Sequence, residues 1–442
     1  MNASFLQVIL FLIAGIAAIV LLTVRFKVHP FFALLIACFV TGLGVQIPFL
    51  EILTLVKNGF GETMSKLAII IVLGTAIGVL LERNGSTHVM ANYILGLAGA
   101  KRASLALSIT GFIVGLPIFC DSGYIVLNGI NKSLTRKAGL SVAQMSISLA
   151  TGLLAVHCLV PPHPGITASG ITLNVELGKL IGYGILIAIP AMLIGHWWAV
   201  YAGRKSSYDT GSKEEEPAIE NAVKPSVLVS FLPVAIPILL MAAKSIIGLT
   251  RLEDGWLKDC ISLPGDPAVA LAIGVVLALL AVKNKKEISH HLSASVEKAA
   301  SILVIIGAGG GFGAVLAATH IGDHFSNAFD LATIGIWFPF LLTSILKTAQ
   351  GSSTVAIITA SSIVLPLLPA LGLDSANGHL LAVLSMGAGS MMLSHTNDAY
   401  FWVVSKFSDI GINTMLRVHT IASLLMGLTT IIVVYILSLI IL

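Results

Sequence analysis

Apolar runs long enough to cross a bilayer recur from end to end of the chain, at roughly 5–24, 31–50, 67–81, 142–160, 177–203, 226–250, 266–282, 299–318, 379–393 and 417–442. A crossing helix needs about 20 apolar residues, and fewer where it is irregular or backed by a partly buried segment. The pattern predicts an all-α polytopic membrane protein. No basic residue precedes Phe5 and no small-residue cleavage site follows Val24, so the first run is read as a span and not as a removable signal peptide.

A single long polar stretch, "RKSSYDTGSKEEEPAIENAVK" at 204–224, divides the chain and has the composition of a linker. The flanking halves, 1–203 and 225–442, resemble each other. Laid without gaps on 297–327, residues 62–92 match Glu62 with Glu297, Gly74 with Gly309, Gly78 with Gly313 and Asn92 with Asn327. Loops rich in Lys and Arg stay cytoplasmic, and here they separate the halves. Loop 283–298 carries Lys283, Lys285, Lys286 and Lys298, whereas its counterpart 51–66 has only Lys57 and Lys66. Loop 131–141 holds Lys132, Arg136 and Lys137, and 82–102 holds Arg83, Lys101 and Arg102, while their counterparts 362–378 and 319–331 hold no basic residue. Equivalent loops thus fall on opposite sides, the mark of two inverted-topology repeats of about five spans each, with the linker cytoplasmic and both termini periplasmic. One further piece per half, 103–131 and 332–362, starts and ends on the same side and reads as a re-entrant hairpin; two short spans in its place preserve the same parity.

Composition sharpens this picture. Hydrophobic residues make up 56% of the 442 and charged residues 10%, against about 25% charged in soluble domains. The net charge of +4 comes from basic residues in short loops, which is topology and not a nucleic-acid surface. The cysteines Cys38, Cys120, Cys158 and Cys260 are scattered, without metal-type spacing.

Four polar, broken stretches interrupt the apolar background: "CDSG" (120–123), "PPHPG" (161–165), "QGSST" (350–354) and "SHTND" (394–398). Non-helical backbone at membrane depth is tolerated only where protein or a water-filled cavity satisfies its polar groups, so the breaks mark a candidate site. Gly351 permits a turn and Ser352, Ser353 and Thr354 suit a helix N-cap, whose free amides attract a carboxylate; the alternative is a plain cap. Asp121 is the only charged residue between Arg102 and Lys132 and is a candidate for exchanging a proton, or else a turn former close to water, and Ser122 and Gly123 after it are candidates for binding the substrate. His163 and His395 sit at equivalent breaks. They, Thr396 and Asn397 are candidates for substrate hydroxyls, and Asp398 is a second proton candidate; structural imidazoles are the rival. His157 reads as structural, and Lys347 as a lysine snorkelling to the outer interface, with holding the substrate carboxylate as the alternative. "GAGGGFGAV" (307–315) sits in a span without a preceding strand, which argues for helix packing and against a dinucleotide site. No H-E-x-x-H motif supports an intramembrane protease, so neither an enzyme nor a metal site is expected.

At "RFKVHPFFALLIA", "HCLVPPHPG", "GDPAVA" (265–270), "LVIIGAGGGFGAVL", "GSSTVAIITA" and "SHTNDAYFW" the chain resembles the gluconate permease family of bacterial proton symporters, over essentially its whole length. The resemblance implies an elevator-type secondary transporter in the bacterial inner membrane. It would import gluconate or a related small hydroxy-carboxylate, coupled to H+ and without a cofactor. The first two spans of each half would form a scaffold, joined to a second protomer as a homodimer. "CDSGY" keeps the acid of the first hairpin tip but follows it with Ser122 where an apolar residue is expected, which leaves D-glycerate, D-serine or another small hydroxy acid as an alternative substrate. Sodium coupling stays open, since unwound carbonyls and hydroxyls bind that ion too.

The inverted arrangement makes a direct expectation: single cysteines placed in 131–141 and in 362–378 label from opposite faces of the membrane. Labelling of both from one face would exclude opposed halves.

Overall fold

In the computed structural model, which describes residues 4–98, 102–204, 225–248, 262–282, 287–319, 333–396 and 398–442, every regular element is helical. The linker beyond Arg204, Lys283, Lys285, Lys286, most of loop 319–331, Cys260 and Asn397 lie outside the described residues. The first half contains α1 (Phe5–Val24), α2 (Pro30–Gly44), α3 (Phe49–Arg83), α4 (Ser86–Ala98), α5 (Ala103–Gly115), α6 (Cys120–Ala138), α7 (Val142–Leu159), α8 (Pro164–Thr172) and α9 (Leu177–Gly203). The second contains α10 (Val227–Gly248), α11 (Pro267–Leu280), α12 (Ile288–Ala318), α13 (Trp337–Gln350), α14 (Ser353–Val364), α15 (Ala376–Ser390), α16 (Ala399–Phe407), α17 (Ile412–Met415) and α18 (Ile421–Ile441). Apart from α4, the described helices follow one order in both: two opening helices, one very long helix, a helix-turn-helix pair, a helix interrupted by a break, and a closing span.

Seven of the described helices are long and apolar enough to cross a membrane. The other segments read as spans from the sequence, in α2, α11 and α15, have 15, 14 and 15 residues. Large apolar side chains such as Leu6, Leu10, Leu186, Leu280 and Leu439 face outward, as a lipid-facing surface requires.

Several stretches read as loops turn out to be helical. Residues 51–66 belong to α3, which has 35 residues and is about 52 Å long at 1.5 Å per residue. Residues 288–298 likewise open the 31-residue α12, 86–98 form α4, and 131–138 continue α6. Polar and charged residues on one side of an amphipathic helix mimic a loop in a hydropathy reading, because only the exposed face carries them. "CDSG", read as an interruption, is the first turn of α6, and the turn joining α5 to α6 lies just before it at Leu116–Phe119.

α3 and α12 pack extensively on each other. Their backbones meet at Gly59 and Gly310, where a Cβ on Gly310 would lie 2.7 Å from the Gly59 carbonyl oxygen. The repeated glycines seat segments of their own half: the irregular stretches at Pro117 and Pro162 in the first, the helix α14 in the second. A Cβ on Gly74 would lie 3.1 Å from Pro162, and one on Gly78 would lie 2.5 Å from the Pro117 carbonyl. Gly309 and Gly313 bear in the same way on Ile358 and Ser362 of α14.

The broken helix of each half docks on the hairpin of the other. α8 packs on α14, with Gly165 against Thr354, and α16 packs on α6. The second contact is held by polar groups: Tyr124 Oη and Ser408 Oγ are 2.6 Å apart and Asn128 Nδ2 donates to the Phe407 carbonyl at 2.8 Å, while Tyr400 Oη of α16 donates to the Ala150 carbonyl of α7 at 3.0 Å.

Because the long helices touch backbone to backbone, Gly310→Leu is expected to cost about 1–3 kcal/mol or to prevent folding, as overpacking does. A lowered unfolding midpoint in detergent checks this, and an unchanged midpoint contradicts it.

Candidate substrate and ion site

The site is built where the two helix-turn-helix pairs end beside the two breaks. α5 ends at Gly115 and α13 at Gln350, followed by Gly351 at φ +83°, the left-handed conformation that stops a helix with least strain in glycine. Each helix end leaves carbonyls without an intrahelical donor. In both halves the residue that caps the second part of the broken helix answers one of them. His163, the N-cap of α8, places Nε2 2.8 Å from the Gly115 carbonyl. Asp398, the N-cap of α16, reaches the Gly351 carbonyl through Lys347, whose ammonium donates to that oxygen at 2.7 Å and to Asp398 Oδ2 at 2.6 Å.

Lys347 is 1% exposed and Asp398 is 4% exposed, so this is a fully buried ion pair. The snorkelling position expected for Lys347 is therefore wrong: the side chain turns inward because the Gly351 carbonyl and the Asp398 carboxylate both need a donor. Asp398 also accepts from the Ser394 hydroxyl at 2.5 Å and, through Oδ1, from the Tyr400 amide at 2.9 Å. His419 Nε2 lies 3.1 Å from Ser394 Oγ and extends the network to the closing span.

Asp121, in the first turn of α6, is held more loosely. Its neighbour Cys120 points Sγ at Oδ1 from 3.8 Å, and Asp398, Lys347 and Lys298 are the charged groups close enough to act on it. Lys298 comes from α12, donates to Ser122 Oγ at 2.8 Å, and lies 4.7 Å from the centre of the Phe119 ring. Gly123 packs against Leu153.

At the second hairpin Ser352 is the N-cap and accepts from the Val355 amide. Ser353 donates to the Ser390 carbonyl at 2.8 Å. Thr354 faces His157 Nε2 at 3.5 Å, and His157 stacks edge-on to His163 with 4.9 Å between ring centres. His157 thus stands among the candidate residues. His395 Nε2 lies 3.1 Å from the Thr348 carbonyl. Thr396 is exposed, with its carbonyl taken by the Trp402 indole at 2.8 Å. Asn397 lies outside the described residues.

The structure thus brings Asp121, Ser122, His163, Ser353, Thr354 and Asp398 into one polar interior, and Thr396 faces outward. Sequence reasoning missed Lys298, Ser394 and His419 as members and ranked an interior Lys347 second to the snorkelling one. For Lys347 a signal existed: it is the only charged residue between Asp330 and Asp374, the same isolation that singled out Asp121.

The permease family model described as GntP matches residues 6–440. The chain belongs to the GntP permease family. It is 32% identical to a gluconate permease of Pseudomonas aeruginosa over 97% of both chains. It is 29% identical to the L-idonate transporter of the Gnt-II system of Escherichia coli, over 94% of this chain and 95% of that one. The D-serine transporter of Escherichia coli is 29% identical over 97% and 98%. The crystal structure of the YdaH transporter of Alcanivorax borkumensis shares the fold, with a TM-score of 0.61 over 87% of this chain and 88% of that one at 14% identity. As a GntP permease with several membrane-crossing helices, the protein is a multi-pass membrane permease and not an enzyme.

A buried pair that loses one partner leaves an uncompensated charge, at about 3–5 kcal/mol, whereas replacing both partners by apolar groups of similar volume is often neutral or stabilising. Asp398→Ala is thus expected to destabilise this GntP permease strongly, and Lys347→Met combined with Asp398→Leu to recover most of the loss. A double-mutant cycle of thermal unfolding in detergent measures it; additive losses would mean that the pair is not coupled.

Proposed function

We propose that this permease is a secondary active transporter that imports gluconate or a related small hydroxy-carboxylate by proton symport across the bacterial inner membrane. One observation supports coupling above all. The interior site holds two carboxylates, Asp121 and Asp398, and two ammonium groups, Lys298 and Lys347. With neutral imidazoles the empty site is balanced. A substrate carboxylate adds a negative charge in an apolar interior, where an uncompensated charge is expensive, so a cation must enter with it. Asp121 is the carboxylate with the fewest fixed donors, and Asp398 the alternative.

The substrate carboxylate rests at the N-terminus of α14, where the first-turn amides of Ser353 and Thr354 have no intrahelical acceptor, between Gly351 and Ser352 on one side and His157 on the other. The substrate's hydroxyls meet His163, His395, Asn397 and Ser122. Relatives named for gluconate, L-idonate and D-serine support a small hydroxylated acid. In this reading the two halves insert with opposite topology, both termini are periplasmic, and the hairpins and broken helices move together as an elevator against a scaffold. The first two spans of each half form that scaffold in a homodimer. Sodium coupling is the second reading, favoured by the carbonyl and hydroxyl oxygens at both breaks.

Uptake of labelled gluconate, glycerate and D-serine into proteoliposomes under imposed proton or sodium gradients separates these readings. A proton gradient is expected to drive accumulation, and Asp121→Asn to lower it by about tenfold or more, or ~1.4 kcal/mol, while substrate exchange at equal pH persists. Full accumulation by Asp121→Asn would remove that residue from coupling.

A further inference from the structure

The two halves close the same gap with different chemistry. At the first break an imidazole, His163, faces the hairpin-end carbonyl of Gly115; at the second the donor to the Gly351 carbonyl is an ammonium paired with a carboxylate. The Lys347 ammonium sits between a backbone carbonyl at 2.7 Å and a carboxylate oxygen at 2.6 Å, and that same oxygen takes the Ser394 hydroxyl. The carbonyl belongs to the C-terminal end of α13, where the helix dipole is negative. Carbonyls at unwound helix ends together with a carboxylate are the oxygen set that holds a small monovalent cation in transporters with broken helices. Here the chain's own side chain stands in that set.

We propose that the Lys347 ammonium is a resident cation, which fills the position at the second break that a coupling ion would otherwise take and so confines ion exchange to the first half, at Asp121. The inference rests on the transporter reading above and deepens it. A tethered cation neutralises Asp398 permanently, is never released with the substrate and keeps the tip of the second hairpin fastened to the break. His163 brings no fixed charge to the first break, and among the described residues Asp121 has the Cys120 thiol at 3.8 Å and the more distant charges of Lys298 and the Lys347–Asp398 pair. The carboxylate without a dedicated partner is the one free to gain and lose a proton.

The test vacates the position. Lys347→Ala, Lys347→Gln and Lys347→Ala combined with Asp398→Ala are purified and compared with the unaltered permease. Two measurements are made: the unfolding midpoint in sodium, choline and methylammonium chloride, and gluconate uptake into proteoliposomes. The unaltered protein is expected to unfold at the same temperature in all three salts and to ignore a sodium gradient. Lys347→Ala is expected to lose proton-driven uptake by about tenfold or more, to gain a sodium- and methylammonium-dependent rise in midpoint, and to recover part of its uptake when either cation is supplied. The double variant, lacking the carboxylate, is expected to show neither response. If Lys347→Ala does not purify folded, Lys347→Gln carries the same expectation for the midpoint in sodium. Sodium stabilisation of the unaltered protein, or single variants blind to both cations, would overturn the resident cation. Failure of the unaltered protein to accumulate gluconate under a proton gradient would instead overturn the transporter reading, and the midpoints would still decide the role of Lys347.

Discussion

Two carbonyl groups at hairpin ends, those of Gly115 and Gly351, set the terms for the interior of this permease. Each belongs to backbone that stops being helical inside an apolar body, where no bulk solvent supplies a hydrogen bond. His163 and Lys347 answer them, and each does so from a position that ties a hairpin to a broken helix of the same half. Hairpin and break therefore form one polar unit per half. Moving one without the other would take the imidazole from the Gly115 carbonyl in the first half and separate a buried ion pair in the second.

The same economy joins the halves. Each broken helix rests on the hairpin of the opposite half, through Gly165 against Thr354 in one case and through Tyr124, Asn128 and Ser408 in the other. Close approach without a side chain serves the first contact and hydrogen bonds among hydroxyls and an amide serve the second, two ways in which helices associate where apolar burial alone gives little preference. The four irregular segments are thereby gathered at one place, and the ionisable groups Asp121, Asp398, Lys298 and Lys347 gather with them.

Charge at that place is balanced but unequally held. Asp398 receives an ammonium, a hydroxyl and an amide, whereas Asp121 has a thiol for a neighbour. Two acids that look alike in the sequence, each isolated in apolar surroundings, are made different by what the fold sets beside them.

The sequence alone was enough to establish a helical, multi-pass membrane chain, because spans follow from the length of apolar runs and those runs are long. It also located the interruptions near Pro161, Gly351 and Asp398, since proline, glycine and capping residues act through their own backbone geometry. It did not show that residues 51–66 and 288–298 are helical, because a helix with one wet face carries the same charges as a loop. Nor did it show the fate of Lys347: a lysine near the end of an apolar helix either reaches outward to water or turns inward to an acid. That choice depends on Asp398 being close in space though far along the chain, so only the tertiary structure, by folding the break onto the hairpin, decided it.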